Sequence, residues 1–322
     1  MRPDYSDSPA QKILIDPFFS LRPDRLCILS SEASPSMASW LLTTYREQGI
    51  EGISTELILT STEQGVIKED HEGFKALHKA HYGEVSNTFT CSYLDGTPEV
   101  KENYFIWVKD DIPVKAFTCS YNFTQNSLLS LDGRGSITLC KANSAYKTFK
   151  AIIKKSIYCV NSEVEDYIVI ATSHIPDITA LSPTDPNYIK LPLVTKKTGE
   201  PGKTSGLNWG QREKRNPNEA YIHLPSKIAK SGFFPLNKQH FLVVTDDHHT
   251  LQLRVEQQGD KAITTPASNA QLGEYFRKRL GLANGAYVTV KDLKAYGRQD
   301  VSFYKIDDEQ YFMDFSVSRR EE

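Results

Sequence analysis

The sequence has no apolar stretch long enough to cross a membrane. A membrane-spanning helix needs about 20 consecutive apolar residues, and no run in the 322 residues approaches that length. The N-terminal segment MRPDYSDSPAQKILID also lacks the apolar core of a secretory signal peptide. These absences argue against secretion and against a membrane partner, and we expect a cytoplasmic protein.

Cysteines are few, and their spacing matches no metal-binding motif. The five cysteines form an odd set without a CxxC pair: Cys27, Cys91, Cys119, Cys140 and Cys159. Structural zinc sites are built from closely spaced cysteine or histidine pairs, so this set predicts no zinc site, and no cofactor is expected. We expect reduced, mostly buried thiols, as in cytoplasmic proteins.

What the sequence does have is an uneven distribution of charge. From Lys196 to the C-terminus there are 20 Lys and Arg against 16 Asp and Glu, whereas the rest of the chain holds 18 against 24. Residues 196–230 alone hold 8 against 3. A basic second half joined to an acidic first half predicts that the second half contacts a polyanion.

The hydrophobic pattern divides the chain near residue 190, and the length is sufficient for two domains with separate cores. In residues 1–190, β-rich runs alternate with helical stretches. Strands are predicted at 26–30, 55–60, 88–93, 104–108, 114–120 and 165–172, and helices at 37–49, 68–81 and 142–158. The pair Ser34 and Pro35 predicts the N-cap and the first turn of the first of these helices. This alternation predicts an α/β domain with a mixed sheet.

The second half is dominated by strand signals. Residues 177–217 are rich in Pro, Thr, Gly and Lys, which predicts a linker or an entry arm. Strands are predicted at 220–224, 240–245, 251–255, 286–290, 301–306 and 311–317, and helices at 269–280 and 290–295. A β-barrel-like module with two helices follows from this pattern over residues 191–322.

One polar segment, residues 205–231, interleaves amides, cations and a tryptophan around two glycines. Arg and Lys neutralise phosphates, while Asn, Gln and Arg can form bidentate pairs with purine edges in the major groove. The segment therefore indicates a loop that contacts nucleic acid. The alternative is an ordinary solvated polar loop.

Several motifs in this order resemble the NgoFVII-type restriction endonucleases. In the second half they are SGLNWGQREKRNPNEAYIHLPSKIAKSGFFP, QHFLVVTDD, LGEYFRKRLGL and LKAYGRQDVSFYKIDDEQYFMDFSV, and in the first half SSEASPSMASW, DHEGFKALH and FTCSYNFTQN. The resemblance implies a phospholipase D-like nuclease domain over 1–190. It also implies a pseudobarrel over 191–322 that is similar to the "B-three" DNA-binding domain of plant transcription factors.

The resemblance further implies that two arms of the pseudobarrel embrace the duplex. The residues expected to contact DNA are Asn208, Trp209, Gln211, Arg212, Lys214, Arg215 and Asn216 in the first arm, and Tyr296, Arg298, Gln299 and Asp300 in the second. Arg298 could pair with guanine and Asp300 with a cytosine amine. Cations such as Lys203, Lys214 and Arg215 would instead contact phosphates.

Trp209 and the basic run 277–279 each have an alternative interpretation in which they do not contact DNA. Trp209, which precedes Gly210, could pack the base of its loop and not touch DNA. The basic run 277–279 could be a solvated helix face.

The resemblance breaks at the catalytic motif. Phospholipase D-like nucleases use a His-x-Lys pair as nucleophile, acid and phosphate ligand without a metal, followed by a Gly/Ser-x-Asn stretch. At the corresponding positions this chain has Lys101 and Asn103, although it keeps Ser120 and Asn122 after Cys119. A lysine with its usual pKa of about 10.4 is protonated and cannot attack phosphorus. The substitutions predict that this chemistry is lost.

Two other catalytic arrangements were considered. Three histidines lie on or near a predicted helix, at His71, His78 and His81, where a surface or capping role is the ordinary interpretation. Glu99 and Lys101, with Asp95 as a second carboxylate, are similar to the Glu-x-Lys half of metal-dependent restriction nucleases.

The resulting prediction is sequence-specific double-stranded DNA recognition in a type II restriction endonuclease scaffold. Three alternatives stay open: cleavage by the family mechanism, an inactive DNA-binding pseudonuclease, and metal-dependent cleavage around Glu99 and Lys101. A contrasting class, polar loops that bind RNA or a protein, would lack the steep salt dependence of DNA binding. We expect a homodimer through the N-terminal domain, and a partner methyltransferase or helicase/ATPase subunit is left open.

Overall fold

The computed structural model describes residues 5, 7–83, 86–96, 102–132, 135–172 and 184–317. The chain divides into two compact units, Met1–Ser173 and His174–Glu322. The predicted boundary at residue 190 falls inside a strand, Tyr188–Pro192, whose hydrogen-bonded neighbour belongs to the second unit. None of the described helices is long and apolar enough to span a membrane.

The first unit is built on a mixed sheet of seven strands. The strands of this unit are β1 (Arg25–Ser30), β2 (Ser54–Leu59), β3 (Val66–Ile67), β4 (Thr88–Leu94), β5 (Asn103–Lys109), β6 (Ile112–Cys119), β7 (Ile137–Cys140), β8 (Ser156–Tyr158) and β9 (Ile170–Ala171). The order in the large sheet is β7-β6-β5-β1-β2-β4-β8, with β1, β2 and β4 parallel and the other pairs antiparallel. The predicted α/β architecture with a mixed sheet is therefore confirmed.

Helices cover both faces of this sheet. They are α1 (Asp16–Leu21), α2 (Pro35–Glu47), α3 (Lys68–Ala80), α4 (Gln125–Leu128), α5 (Ala142–Ile153) and α6 (Val164–Tyr167), and a π-helical turn at Gln11–Ile15 precedes α1. The predicted start of α2 is confirmed, because the Ser34 hydroxyl accepts from the Met37 amide at 3.1 Å and proline follows it. One core lies beneath α1, α2 and α3, and a smaller core lies beneath α5 on the opposite face.

Two predictions for the first unit were wrong in detail. The helix expected at 142–158 ends at Ile153, and Ser156–Tyr158 instead forms edge strand β8 because it pairs with β4. The strand expected at 165–172 is shortened to Ile170–Ala171, which pairs with β3, because α6 extends to Tyr167. In the first case, hydrogen bonding to the distant strand β4 overrides the local pattern.

The second unit is a single curled sheet. Its strands are β10 (Tyr188–Pro192), β11 (Ile222–His223), β12 (His240–Thr245), β13 (Thr250–Glu256), β14 (Ala262–Thr264), β15 (Asp300–Lys305) and β16 (Gln310–Asp314), in the order β10-β15-β16-β12-β13-β14-β11. Edge strands β10 and β11 bring Cα atoms within 8 Å of each other, so the barrel is nearly closed. The predicted pseudobarrel is confirmed.

An aromatic cluster fills the barrel. The Phe234 ring lies 5.1 Å from Phe241, 5.2 Å from Phe303 and 5.1 Å from Tyr311, measured between ring centroids. The remaining elements are a 3-10 helix (Gly206–Gln211) and helices α7 (Ser226–Ala229), α8 (Ala270–Arg279) and α9 (Val290–Tyr296). Such clusters give large apolar burial together with defined ring geometry.

Local patterns again misplaced some elements of the second unit. The predicted linker at 177–217 contains β10 and the 3-10 helix, so its described part belongs to the barrel. The strand expected at 286–290 does not form, because Thr289 and Asp292 make a capping box that starts α9 at Val290. The strand expected at 220–224 is reduced to Ile222–His223.

Candidate functional site

In the first unit, the topology collects polar side chains at one edge of the sheet. Strand β1 ends there at Ser30, antiparallel β5 begins there at Asn103, and β6 ends there at Cys119 opposite Asn103. The residues that follow or begin these strands form a group that we call the polar cluster: Ser31, Glu32, Asn103, Ser120 and Asn122. Three of its members, Asn103, Ser120 and Asn122, stand at positions of the family's catalytic motif. The fourth such position, Lys101, lies outside the described residues.

Asn103 is a structural residue of this cluster. Its side chain is buried, with 5% exposure. The amide oxygen accepts from the Ser31 backbone amide at 2.8 Å, and the amide nitrogen donates to the Tyr121 carbonyl and the Asn122 side-chain oxygen, both at 2.9 Å. Asn103 therefore joins three segments, and its hydrogen-bonding groups face the protein.

Asn122 and Ser120 are also engaged within the first unit. The Asn122 side-chain oxygen accepts from the Ser31 hydroxyl at 2.9 Å, and its nitrogen donates to the Glu32 carboxylate at 2.9 Å. The Ser120 hydroxyl accepts from the Ser136 amide at 3.0 Å. The Asn122 side-chain nitrogen is thus engaged by a carboxylate, whose negative charge would oppose the binding of a phosphate at this side chain.

The histidines do not complete this site. His71 lies on α3 with its Nδ1 atom 3.0 Å from the Tyr93 hydroxyl, and burial lowers its pKa. His78 contacts the Cys159 sulfur at 3.9 Å, and the His81 ring contacts the Asn87 carbonyl at 3.3 Å. All three pack on the β4 side of the sheet, whereas the polar cluster lies at the ends of β1, β5 and β6.

The metal alternative rests on residues that the structure does not describe. Glu99 and Lys101 both fall outside the described ranges, and only Asp95 of the three is described. Among the described residues, no group of three or more His, Cys, Asp or Glu side chains is arranged to hold a metal ion. The Glu99/Lys101 site stays a prediction.

In the second unit, a buried arginine organises the loop at residues 205–218, which we call the recognition loop. Arg277 was considered as part of a solvated helix face, but it has 0% exposure. Its guanidinium donates to the backbone carbonyls of Leu207, Pro217, Asn218, Gly273 and Ala286, at distances of 2.8 to 3.4 Å. Burial lowers the pKa of Arg277. The two ends of the loop are tied to α8 through this one side chain.

Two asparagines add to this scaffold. Asn208 has 0% exposure, accepts from the Val288 amide at 2.8 Å and donates to the carbonyls of Val288 and Gly202. Asn218 accepts from the Gly285 amide at 2.6 Å. The whole side-chain amide of Asn208 is used to hold the loop, and the DNA contact expected for this residue stays a prediction.

Gly210 is required where the recognition loop folds back on itself. A Cβ atom added to Gly210 would lie 2.2 Å from the Asn216 carbonyl oxygen, a distance at which the backbone would have to move. The Gln211 side chain closes the same turn by donating to the Pro217 and Gly285 carbonyls at 3.2 and 3.1 Å. Gln211 is thus turned toward the protein as well.

Trp209 packs at the base of the recognition loop. Its ring makes an edge contact with Tyr221 at 5.5 Å, and the Arg215 guanidinium lies over it, 4.2 Å from the ring centroid. Arg215 also pairs with Glu219. The structural alternative for Trp209 therefore matches this arrangement, and Arg215 is held in place by both partners.

The outward face of the recognition loop is polar and basic. Arg212, Lys214, Arg215 and Asn216 are all exposed. Arg212 uses its Nε atom to hold the Thr204 carbonyl at 2.8 Å, and Lys214 has a positive φ of 64° at the loop tip. A nucleic acid could reach these four side chains, beside which Glu213 and Pro217 are also exposed.

The second predicted arm is largely internal. Arg298 has 13% side-chain exposure and donates to Asp300, Asp314, Ser302 and the Ser316 carbonyl. These contacts occupy the guanidinium of Arg298, whereas Asp300 keeps 32% side-chain exposure. The pairing of Arg298 with guanine and of Asp300 with cytosine stays a prediction.

Two neighbours of Arg298 also have structural contacts. The Tyr296 hydroxyl donates to the Phe315 carbonyl at 2.6 Å and accepts from Arg279 at 2.7 Å. Gln299 is half-buried, and its backbone carbonyl accepts from Leu193 at 2.9 Å. The sequence predicts a DNA-contacting arm here because the segment is polar. Only the contacts show that Arg298 belongs to an ion-pair network.

Two family models match the chain, one on each unit. Residues 9–166 match the NgoFVII restriction endonuclease N-terminal PLD domain. Residues 183–307 match the NgoFVII C-terminal B3-like DNA-binding domain. The chain belongs to the NgoFVII restriction endonuclease family. No curated protein matches the sequence.

This assignment gives the two sites their context. In this NgoFVII-family chain the polar cluster lies within the PLD domain, and the recognition loop lies within the B3-like DNA-binding domain. The predicted combination of a phospholipase D-like domain with a B3-like pseudobarrel is confirmed. Membership leaves the catalytic residues undetermined, because the described part of the polar cluster contains no His, Lys or Arg.

Proposed function

We propose that this chain recognises a short sequence in double-stranded DNA through the recognition loop of its B3-like domain. The observation that supports the proposal best is the pairing of a basic, exposed loop face with a buried Arg277 scaffold. A rigid loop loses little conformational entropy on binding, which favours a specific complex. The basic excess of residues 196–230 adds the non-specific attraction to phosphates.

Within the loop, we assign different roles to the exposed side chains. Lys214 and Arg215 contact phosphates, since Lys214 projects from the tip and Arg215 is fixed over Trp209. Arg212 and Asn216 contact base edges, because both can form bidentate pairs with purines: Arg212 through two guanidinium nitrogens, and Asn216 through its side-chain nitrogen and oxygen. Lys203, exposed just before the loop, adds a phosphate contact.

For the PLD domain we propose a pseudonuclease that shapes the assembly without cleaving DNA. The supporting observation is the Asn122–Glu32 hydrogen bond, which brings a negative charge to a residue that the resemblance assigns to phosphate binding. We further propose that the PLD domain forms the homodimer and so brings two B3-like domains to one duplex.

To test both proposals, duplexes that bind the protein are selected from a random-sequence library. The enriched DNA is then incubated with the protein, first in EDTA and then with magnesium. We expect an enriched motif and intact DNA in both buffers. Fragments in EDTA would contradict the pseudonuclease and favour the family chemistry, whereas cutting only in magnesium would favour the Glu99/Lys101 site. Failure to enrich any motif, or equal competition by double-stranded RNA, would contradict DNA recognition itself.

A further inference from the structure

The B3-like domain contains a cavity that the recognition loop does not explain. The cavity has a volume of about 450 Å³ and lies at the seam where β10 and β11 approach each other. Its walls include Leu193, Leu207 and Pro225, together with the side chain of Tyr221. We call it the seam pocket. Its volume lies within the range of about 300–1,000 Å³ that is typical of small-ligand sites.

The seam pocket combines apolar walls with a few polar groups. Ser205, His223 and Ser226 contribute polar side chains to its lining. Among the described residues, no hydrogen bond engages the Tyr221 hydroxyl, the His223 ring or the Ser226 hydroxyl. A flat heteroaromatic ligand fits this composition, because it can pack on apolar and aromatic walls and exchange hydrogen bonds at its edge.

The surroundings of the seam pocket favour a ligand that carries a phosphate. Lys196 belongs to the lining and is exposed. Ser205 and Leu207, at the start of the recognition loop, belong to the same lining. The cavity therefore adjoins the start of the recognition loop, and a nucleotide is the ligand that supplies both an aromatic ring and an anionic neighbour for Lys196.

We propose that the seam pocket receives one nucleobase that is extruded from the bound duplex. The base packs against Tyr221 and the apolar walls, and its edge meets Ser226 and His223, while Lys196 pairs with the adjacent phosphate. The proposal rests on the proposed DNA recognition and deepens it, since the chain then reads one base outside the helix as well as those in the groove.

The test uses the full chain and the enriched duplex with a mismatch scan. At each position of one strand, the complementary base in the other strand is replaced. The base under test is thus kept, but its Watson–Crick pairing is lost. An unpaired base costs less to extrude, so a mismatch at the extruded position should tighten binding by about tenfold, whereas mismatches elsewhere should not. A 2-aminopurine placed at that position should become more fluorescent when the protein binds.

Two variants connect the effect to the seam pocket. Ser226→Trp fills the cavity from an exposed position, and it should abolish both the mismatch preference and the fluorescence rise. Ser231→Trp, also exposed but outside the lining, is the matched control and should retain both.

Each outcome separates this proposal from the proposed function. Specific binding without any favourable mismatch, or a preference that survives in Ser226→Trp, would overturn the seam pocket and leave DNA recognition standing. If no duplex is bound specifically, both proposals fail together.

Discussion

At the scale of single residues, polar side chains with similar sequence contexts have opposite roles. Arg277 and Lys278 are neighbours on α8, yet Arg277 is fully buried and Lys278 is exposed. The difference arises because Arg277 faces the carbonyls at both ends of the recognition loop. A buried cation of this kind is stable only when nearly all its donors are used.

Replacing Arg277 should therefore damage the fold of the B3-like domain. Arg277→Met removes five hydrogen bonds from the guanidinium to backbone carbonyls, and we expect the free energy of unfolding to fall by about 3 kcal/mol or more. Urea unfolding measures this change. Lys278→Met is the matched control and should stay within about 0.5 kcal/mol of the parent. Equal losses in both variants would contradict the scaffold role.

Asn103 should likewise behave as a structural residue and not as a remnant of catalysis. Asn103→Ala removes three buried hydrogen bonds, and we expect the free energy of unfolding to fall by about 2 kcal/mol. The exposed Ser120 provides the comparison, since Ser120→Ala should change stability by less than about 0.5 kcal/mol. A stable Asn103→Ala protein with altered DNA processing would assign Asn103 to chemistry instead.

At the scale of elements, the recognition loop separates its scaffold from its contact surface. Asn208 and Gln211 point into the protein, while Lys214 stands at the exposed tip. The loop therefore keeps its shape through one set of residues and meets its ligand through another. Mutations of the scaffold residues should lower the free energy of unfolding, whereas mutations of the contact residues should weaken DNA binding.

Lys214→Ala should weaken DNA binding without altering sequence preference. Loss of one phosphate contact should lower the magnitude of the slope of log K against log salt concentration by about 0.9. Titrations at several salt concentrations measure the slope. Lys147→Ala removes an exposed lysine from α5 in the first unit and should leave the slope unchanged. A change in the enriched motif for Lys214→Ala would mean that this lysine contacts bases.

Helix α3 makes the first unit sensitive to acid. Burial lowers the pKa of His71 on α3 and of His81 at its end. The unfolded histidine, with a pKa of about 6.5, then binds a proton before the folded one does. Their contribution to stability is therefore present above about pH 6.5 and is lost as the pH falls below it.

Substitution of His71 should reduce this sensitivity. Between pH 7.5 and 5.5, the parent protein should lose more of its free energy of unfolding than His71→Gln does, because the variant lacks one protonation that favours unfolding. Urea unfolding at both pH values measures the difference. His248→Gln, at an exposed position of the second unit, should lose as much as the parent. Parallel losses in His71→Gln would show that His71 does not contribute.

At the scale of the whole molecule, each unit has its own core. The aromatic cluster around Phe234 lies entirely in the second unit, and the cores beneath α2 and α5 lie entirely in the first. Each unit should fold without the other, because its buried apolar surface is supplied from its own residues. The division allows recognition and dimerisation to be measured separately.

A fragment of residues 184–322 should bind the motif that the full chain selects, but about 100-fold more weakly. Two B3-like domains on a dimer gain affinity through their high effective concentration, and the fragment loses that gain. Binding titrations of both proteins, with their masses determined by light scattering, measure the effect. Equal affinities, or a monomeric full-length protein, would contradict the proposed homodimer.

The sequence by itself determined the features that depend on neighbouring residues or on motif order. The alternation of strands and helices indicated the α/β unit, Ser34 and Pro35 marked the start of α2, and the ordered motifs indicated the family. Such signals can be read without tertiary contacts, because a helix cap or a periodic spacing of apolar residues involves only residues that are close in sequence.

Only the tertiary structure decided which polar residues face solvent. Asn103 meets Ser31 across 72 residues of chain, and Arg277 meets Leu207 across 70. No local pattern distinguishes these side chains from exposed ones such as Lys214, because the partners that bury them arrive from distant strands and loops. The same holds for Arg298, whose carboxylate and carbonyl partners converge only when the barrel closes.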